Sequence, residues 1–503
     1  MANPKRPMWI LLVLVIGLLG ISGSPSNSRS EKVFPLNRSE ALNIAVIGAG
    51  AAGLTSAKNA LAQGHNVDIF EKTGALGGIW YYTDDIGKDE YGATIHTPMY
   101  QQLRTNTPYQ TMEFPDFHFP KDTQSYPSHD VVWKYLDSYA RHFGVEERIK
   151  YHHLVEKVHS IPNDKWQITV LNLLKNISET YIYDAVFVCT NIFSSPRIPI
   201  IENSEEFKGK VMHSRDYRKP ETFAGEKVLV IGGGPSGYDI YIQAYQFAKQ
   251  VTYSFRMPTT AVSSMEENME TVMDLLNDYP LKGNVKRFTA NGAEFEDGSR
   301  RNFTVIIYAT GYKYSYPFLD ESVGIHVEDY YVALLYKHIF NVNRPTMAFI
   351  GVPNSAAHNP MCDLQARFAL KFISGLKQLP SNEKMLKDMQ YQALVRLFEG
   401  YPQNRPHLLG AGQRDYYKDL ANTAEIESIP EVITDIFKDS ILNSKLLHYY
   451  RNIKYIISED MSTFLRVTEE KSELKTATEA PTKKRPRFEN SPSQKNIKKR
   501  KTD

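Results

Sequence analysis

The chain has 503 residues, 42% of them apolar and 23% charged, the composition of an ordinary globular protein long enough for two or three domains of about 100–200 residues each. A formal net charge of +2 argues neither for nor against a polyanionic partner; no nucleic acid is expected. Only two cysteines occur, Cys189 and Cys362, and no CxxC or CxxxxC pair exists, which excludes the disulfide reductases; no metal site is expected either.

At the N-terminus, Lys5 and Arg6 precede an apolar run from Trp9 to Ile21, and the small residues Ser22, Gly23 and Ser24 follow. This is the layout of a secretory signal peptide, and residues 1–24 are read as one. The run is short for a membrane-crossing helix, which needs about 20 residues. An uncleaved anchor, and with it membrane association, is the alternative. Sequons at Asn37, Asn176 and Asn302 are compatible with the secretory route, either secretion or retention in the endoplasmic reticulum.

A strand from Asn43 to Ile47, a turn Gly48-Ala49-Gly50-Ala51-Ala52-Gly53, a helix to Ala62 and a strand from Val67 to Phe70 form a first nucleotide-binding unit. In such a turn the first glycine permits the sharp reversal, the second lets backbone approach a pyrophosphate, and the third lets helix and strand pack closely. The positive end of the helix dipole then faces the phosphates. Glu71, 23 positions after Gly48, is placed to accept hydrogen bonds from ribose hydroxyls, which suits FAD or NAD.

Next comes Gly74-Ala75-Leu76-Gly77-Gly78-Ile79-Trp80, a glycine-rich loop ending on a large aromatic and suited to lying against a flat ring or a pyrophosphate. Asn106, between Thr105 and Thr107, either stabilises a turn or points an amide into a site. Met112, Phe114, Phe117 and Phe119 form an aromatic cluster, and Tyr126 to His142 has the spacing of a surface helix with a core-facing aromatic side. Val155 to Val170 and Tyr181 to Cys189 predict short antiparallel strands followed by a buried one. Pro196 and Pro199 mark a crossing between domains.

The second unit repeats the device. A strand from Val228 to Ile231 leads into Gly232-Gly233-Gly234-Pro235-Ser236-Gly237, a helix to Ala248 and a strand from Val251 to Phe255. No acid stands at the place matching Glu71. Arg256 does, 24 positions after Gly232, suited to a bidentate pair with the 2′-phosphate of NADP; a solvated strand-end charge is the alternative. One such turn is weak evidence, whereas two in strand–turn–helix–strand context are strong.

Beyond it, Met269 to Leu276 predicts a helix and Asn284 to Thr304 hairpins, with Asn291-Gly292 and Asp297-Gly298 as turns. Val305 to Tyr308 predicts a buried strand ending in Ala309-Thr310-Gly311-Tyr312, where small residues let backbone approach a ligand. Helical spacing returns at Leu364 to Leu376 and Glu383 to Phe398. From about Lys471 the chain becomes polar and basic, and residues 471–503 are read as a disordered tail. Its clusters resemble a bipartite nuclear signal, but a secretory N-terminus would keep the chain from nuclear import.

These motifs resemble those of the flavin-containing monooxygenases, the NADPH-dependent N- and S-oxygenases. The identifying pattern FxGxxxHxxxY falls on Phe207, Gly209, His213 and Tyr217. Related Baeyer–Villiger monooxygenases usually carry tryptophan at the last position, so Tyr217 favours the N-oxygenase branch. With the signal-like N-terminus, secretory insect alkaloid N-oxygenases are the subgroup most resembled. The resemblance spans roughly residues 43 to 450, and it has two departures. Cys189-Thr190-Asn191-Ile192 stands where many members read Cys-Thr-Gly-His, and Arg218 follows the motif tyrosine where lysine or proline is usual.

The resemblance implies an α/β fold of two Rossmann-like domains, with the NADPH domain (196–309) inserted into an FAD domain (40–195 and 310–455). A shared cleft would lie between the two halves. It implies FAD held by Gly48, Gly50, Gly53, Glu71, Gly77, Gly78, Trp80, Thr310 and Gly311, and NADPH held by Gly232, Gly234, Ser236, Gly237, Arg256 and Thr190. It further implies that reduced flavin adds dioxygen to give a C4a-hydroperoxyflavin, whose distal oxygen passes to an amine or sulfide. Asn106 would hydrogen-bond near that site, whereas His213 reads as a structural residue. The alternatives are a Baeyer–Villiger enzyme or NADPH oxidase of the same fold, or an inactive cofactor-binding relative.

Overall fold

The computed structural model describes residues 40–190, 192–256, 281–446 and 450–468. The N-terminal segment with Asn37, Asn191, the helix expected at Met269 to Leu276 and the basic tail lie outside the described residues.

β1 (Asn43–Ile47), α1 (Ala51–Ala62) and β2 (Asn66–Phe70) form the first unit, with β2 parallel to β1. Ile44, Ala45, Val46 and Ile47 are all buried, as expected of a parallel strand covered on both faces. α1 begins at Ala51 rather than Leu54 because the small residues of the turn already take helical geometry. α2 (His129–His142) starts three residues later than its aromatic spacing suggests, since Pro127 precedes the N-cap Ser128. Its inward face is Val132, Tyr135, Leu136, Tyr139 and Ala140.

β3 (Ile149–Lys150) extends the first sheet beside β2. β4 (His153–Ile161), β5 (Lys165–Asn172) and β6 (Ile177–Tyr183) form a separate antiparallel sheet. β7 (Ala185–Val188), wholly buried, then returns to pair parallel with β1. From β8 (Ser195–Pro196) the chain leaves for a second sheet. That sheet holds β9 (Lys210–His213), β10 (Lys227–Ile231), β11 (Gln250–Ser254) and β12 (Leu281–Lys282), with α3 (Pro235–Phe247) between β10 and β11.

β13 (Val285–Thr289), β14 (Gly292–Phe295) and β15 (Arg300–Asn302) form the expected hairpins. β16 (Val305–Tyr308) completes the second sheet, whose order is β12-β11-β10-β16-β9. β17 (Tyr312–Lys313) pairs antiparallel with β8, so departure and return run side by side.

After β18 (Val327–Glu328) and β19 (Tyr331–Val332), the strands β20 (Leu335–Tyr336), β21 (Phe340–Asn341) and β22 (Met347–Phe349) rejoin the first sheet, giving the order β20-β21-β22-β7-β1-β2-β3. The second sheet is thus wholly contained between two strands of the first.

α4 (His358–Ile373) packs on α1, and the buried Asp363 accepts hydrogen bonds from Thr55 Oγ1 at 2.9 Å, Asn59 Nδ2 at 2.8 Å and Arg367 Nε at 2.7 Å. Three acceptor contacts offset the burial of that charge and fix the helix carrying the first glycine turn. α5 (Asn382–Phe398), α6 (Gln413–Ala424) and α7 (Glu431–Leu446) follow, then a hairpin of β23 (Ile453–Ile457) and β24 (Phe464–Thr468). Among the described residues no helix is long and apolar enough to cross a membrane.

Candidate functional site

A cavity of about 700 Å³ opens over the first glycine turn. Gly48, Gly50, Glu71, Gly77, Gly78 and Trp80 all line it, together with Ala51 and Ala52 at the start of α1. Gly48 has φ +102, and a Cβ there would meet Cys189 O at 3.2 Å. Gly53 does not line the cavity. Its role is packing, since a Cβ would fall 1.9 Å from Gly48 O.

The glycine-rich loop is fixed over this turn. Gly77 N–H donates to Ala49 O at 2.9 Å, and Trp133 Nε1 on α2 donates to Leu76 O at 3.0 Å. The buried Glu71, 4% exposed, accepts from Ala49 N at 3.0 Å through Oε2 and from Thr73 N at 2.9 Å through Oε1. Its carboxylate is therefore held at the cavity wall by backbone donors, which fixes where it can meet a ligand hydroxyl.

Several lining groups escaped the sequence reading. Lys72 and Arg215 add positive charge, and His96 and His358 add imidazoles. Burial lowers the Lys72 ammonium, although it still donates to Thr94 O at 2.7 Å. Burial also holds His96 down to about 3, helped by Lys72, and His358 down to about 4, so both rings are neutral. His96 Nδ1 and Thr190 Oγ1 are buried polar atoms at this wall with no protein partner. Such atoms are costly unless something polar meets them. Glycine backbone, a fixed carboxylate, a helix N-terminus without first-turn acids and orphaned polar atoms together fit the pyrophosphate and polar edge of a flavin dinucleotide.

The second turn has the same construction. Gly232 has φ +131, and a Cβ on it would stand 2.1 Å from Ala309 O; a Cβ on Gly237 would stand 2.0 Å from Gly232 O. Gly234 caps α3, Pro235 follows at the first helical position, and the turn is open to solvent around Gly233, Gly234 and Pro235. Ser236 is half-buried in the first turn of α3, and Arg256 is exposed just beyond β11.

Two positions differ from the expectation here. Thr190, expected at the second nucleotide, lies against Gly48 in the first cavity, with its Cγ2 3.6 Å from the position of a Gly48 Cβ. Thr310 and Gly311, expected at the flavin, do not line that cavity. Thr310 N lies 3.3 Å from a Cβ position on Gly232, and Thr310 Oγ1 donates to Arg197 O at 2.5 Å. The reason is topological: each glycine turn faces the residues that follow the neighbouring strand, β7 for the first and β16 for the second.

The FxGxxxHxxxY residues are structural. Phe207 is in the core beside Phe288, and a Cβ on Gly209 would meet Thr304 O at 2.5 Å. His213 Nδ1 accepts from Arg215 N at 3.1 Å, so Nε2 carries the proton and donates to Gly311 O at 3.0 Å. Burial pushes this ring down to about 4, which leaves it neutral. Tyr217 OH donates to Gln243 Oε1 at 2.7 Å, and its ring stacks on Phe223.

The departure at Arg218 has a clear role. Its guanidinium donates to Arg215 O at 2.7 Å, Tyr217 O at 3.0 Å, Asp85 O at 3.0 Å and Thr97 O at 3.3 Å, tying the 85–97 loop to the motif. Of the other departure, Ile192 opens a single 3-10 turn, Ile192–Ser194, that leads into the crossing. Asn106 does not line the first cavity. It is exposed, and its Oδ1 accepts from Arg451 Nη2 at 2.8 Å.

Comparison with known proteins agrees with this construction. The family model described as FMO-like, flavin-binding monooxygenase-like, matches residues 41–279 and 274–452. The chain is 34% identical over 456 residues to senecionine N-oxygenase of Tyria jacobaeae, covering 90% of this chain and 95% of that protein. It is 35% identical over 401 residues to flavin-containing monooxygenase FMO GS-OX5 of Arabidopsis thaliana, covering 76% and 85%. Among solved structures, S-allyl-L-cysteine S-oxygenase from Allium sativum superposes with a TM-score of 0.74 at 30% identity, over 82% of this chain and 95% of that one.

Proposed function

The chain belongs to the flavin-containing monooxygenase family, and on that premise we propose that it uses FAD, NADPH and dioxygen to oxygenate nitrogen or sulfur in soft nucleophiles such as tertiary amines, alkaloids and thioethers. The observation that carries the reading is the cavity in which Gly50 and Gly78 form a close backbone floor beside Glu71 and the orphaned Thr190 and His96 atoms. In overall balance, nucleophile, dioxygen, NADPH and a proton give the N- or S-oxide, NADP+ and water.

Bound FAD supplies the redox chemistry, accepting hydride and activating dioxygen. The chain's own residues bind, orient and exclude water. The N-terminus of α1 and the Gly77-Gly78 backbone face the pyrophosphate, Glu71 meets ribose hydroxyls, and Lys72 and Arg215 balance phosphate charge. The second turn and Arg256 take the dinucleotide phosphates and 2′-phosphate of NADPH. By the family resemblance Asn106 would supply an amide near the site of oxygen transfer, from a position outside the first cavity where Arg451 holds it. Burial holds His96 and His358 neutral at the wall, and the reaction needs positioning and a dry site more than acid–base exchange.

The relatives named above as N- and S-oxygenases support these substrate classes; a part in xenobiotic metabolism is proposed with them. The domain division at about residues 195 and 309 belongs to the same proposal, as does a secretory route. The latter rests on the Trp9–Ile21 run and on the exposure of the sequon residues Asn176 and Asn302; a glycosidase-sensitive mass shift would test it.

Purified protein incubated with NADPH and, separately, a tertiary amine, a thioether and a cyclic ketone tests the activity by mass spectrometry. An N-oxide or sulfoxide is expected. A lactone would favour the Baeyer–Villiger alternative, hydrogen peroxide alone an NADPH oxidase, and no NADPH consumption an inactive relative.

A further inference from the structure

Arg451, in the segment after α7, joins three parts of the chain that are distant in sequence. Its guanidinium grips Asp239 of α3 as a bidentate pair, Nη1 to Oδ1 at 2.9 Å and Nη2 to Oδ2 at 2.9 Å. The same group donates through Nε to Thr105 O at 3.1 Å and through Nη2 to Arg104 O at 3.3 Å and Asn106 Oδ1 at 2.8 Å. Asp239 is buried, 7% exposed, and its Oδ2 also accepts from Tyr100 OH at 2.8 Å. The carboxylate therefore lies among donors belonging to the 100–106 loop and the C-terminal segment, although it sits on a helix of the inserted unit.

Two consequences follow from the chemistry. Arginine only donates, so the atom that Asn106 turns toward Arg451 must be its oxygen, and the amide N–H groups are turned away from it. Asp239 lies two positions beyond Gly237, the third glycine of the second turn, so any displacement of the first turns of α3 on dinucleotide binding is felt by the Arg451 fork. That fork has one planar geometry, and lysine cannot reproduce it.

We propose that Arg451, anchored by Asp239, is the positioning residue that sets the orientation of the Asn106 amide and couples it to nucleotide occupancy of the second glycine turn. This rests on the reading of Asn106 as a residue of the oxygen-transfer site. It makes the C-terminal segment part of the catalytic arrangement rather than a passive cover. Loosening the fork lets NADPH oxidation run to hydrogen peroxide, with NADPH, dioxygen and a proton giving NADP+ and hydrogen peroxide in place of product and water.

The test uses FAD-loaded full-length protein as wild type, Arg451→Lys, Asn106→Ala and the double variant, with Asp239→Asn as a second way to break the pair should Arg451→Lys fold poorly. Hydrogen–deuterium exchange is followed across residues 100–108 with and without NADP+, and product per NADPH is measured with a tertiary amine. In wild type, NADP+ should slow exchange both at the second turn and across 100–108; in Arg451→Lys or Asp239→Asn the protection should persist at the turn and vanish from 100–108.

Product per NADPH should fall by about tenfold in Arg451→Lys, the scale of one charge-assisted hydrogen bond, with little further loss when the change is added to Asn106→Ala. Retained NADP+ protection of 100–108 in Arg451→Lys, or equal losses in both backgrounds, would overturn the inference while leaving the oxygenase reading intact. Unaltered coupling in Asn106→Ala would overturn both the inference and the placement of Asn106. A wild type that forms no oxide would refute the functional reading itself and the inference with it.

Discussion

Gly50 and Gly78 meet backbone against backbone: a Cβ on Gly78 would stand 3.1 Å from Gly50 Cα, and one on Gly50 would stand 3.6 Å from Gly78 Cα. Two stretches that read in sequence as separate glycine-rich segments therefore form one surface, without side chains, at the N-terminus of α1. That surface is what lets a pyrophosphate approach the helix end closely.

Gly78→Ala should weaken FAD binding in a protein that still folds. Gly78 has φ +57, where alanine costs about 1–2 kcal/mol, and the new Cβ would push the loop off Gly50. The expected result is at least about a tenfold rise in the FAD dissociation constant, each tenfold being about 1.4 kcal/mol. Titration of FAD into deflavinated protein measures it, and unchanged affinity would remove the close approach from the binding site.

Arg256→Ala should separate the two nicotinamide nucleotides. Loss of a charge-assisted contact of about 1.5–3 kcal/mol would raise KM for NADPH by about 10–100-fold and leave KM for NADH nearly unchanged. Steady-state kinetics with both nucleotides decides it. Equal changes would make Arg256 the solvated strand-end charge that its exposure also allows.

The buried His213 should make stability fall on acidification. Burial lowers this ring from 6.5 to about 4, so between those values the unfolded chain binds more protons than the folded one. The contribution is intact above about 6.5 and is lost as the pH falls toward 4. Each tenfold difference in proton affinity between the two states is worth about 1.4 kcal/mol, so the full loss is on the order of 3 kcal/mol. His213→Gln keeps a donor for Gly311 O but does not titrate. Its deficit relative to wild type in urea unfolding should shrink between pH 7 and pH 5; a constant difference would mean that His213 is not held neutral.

Much of this arrangement is legible in the sequence because it depends on local backbone chemistry. The two turns, their flanking strands and the position of Glu71 follow from glycine spacing and apolar runs. The 284–304 hairpins follow from Asn291-Gly292 and Asp297-Gly298. What the sequence does not place depends on strand order. Thr190 and Thr310 sit in alike strand-end contexts, and only the pairing of β7 with β1 and β16 with β10 decides which turn each one faces. Lys72, His96, Arg215 and His358 carry no spacing signal, since they converge on the cavity from four separate segments. Arg451 reaches Asp239 across 212 positions, and no periodicity or motif marks such a pair.

Stopped-flow absorbance of the purified, FAD-loaded protein tests the central claim most directly. Mixing with NADPH in the absence of oxygen should bleach the flavin band, and admitting oxygen with a tertiary amine should restore it with stoichiometric N-oxide. Protein that takes up no FAD, or whose bound flavin does not respond to NADPH, would contradict a monooxygenase built on these two glycine turns.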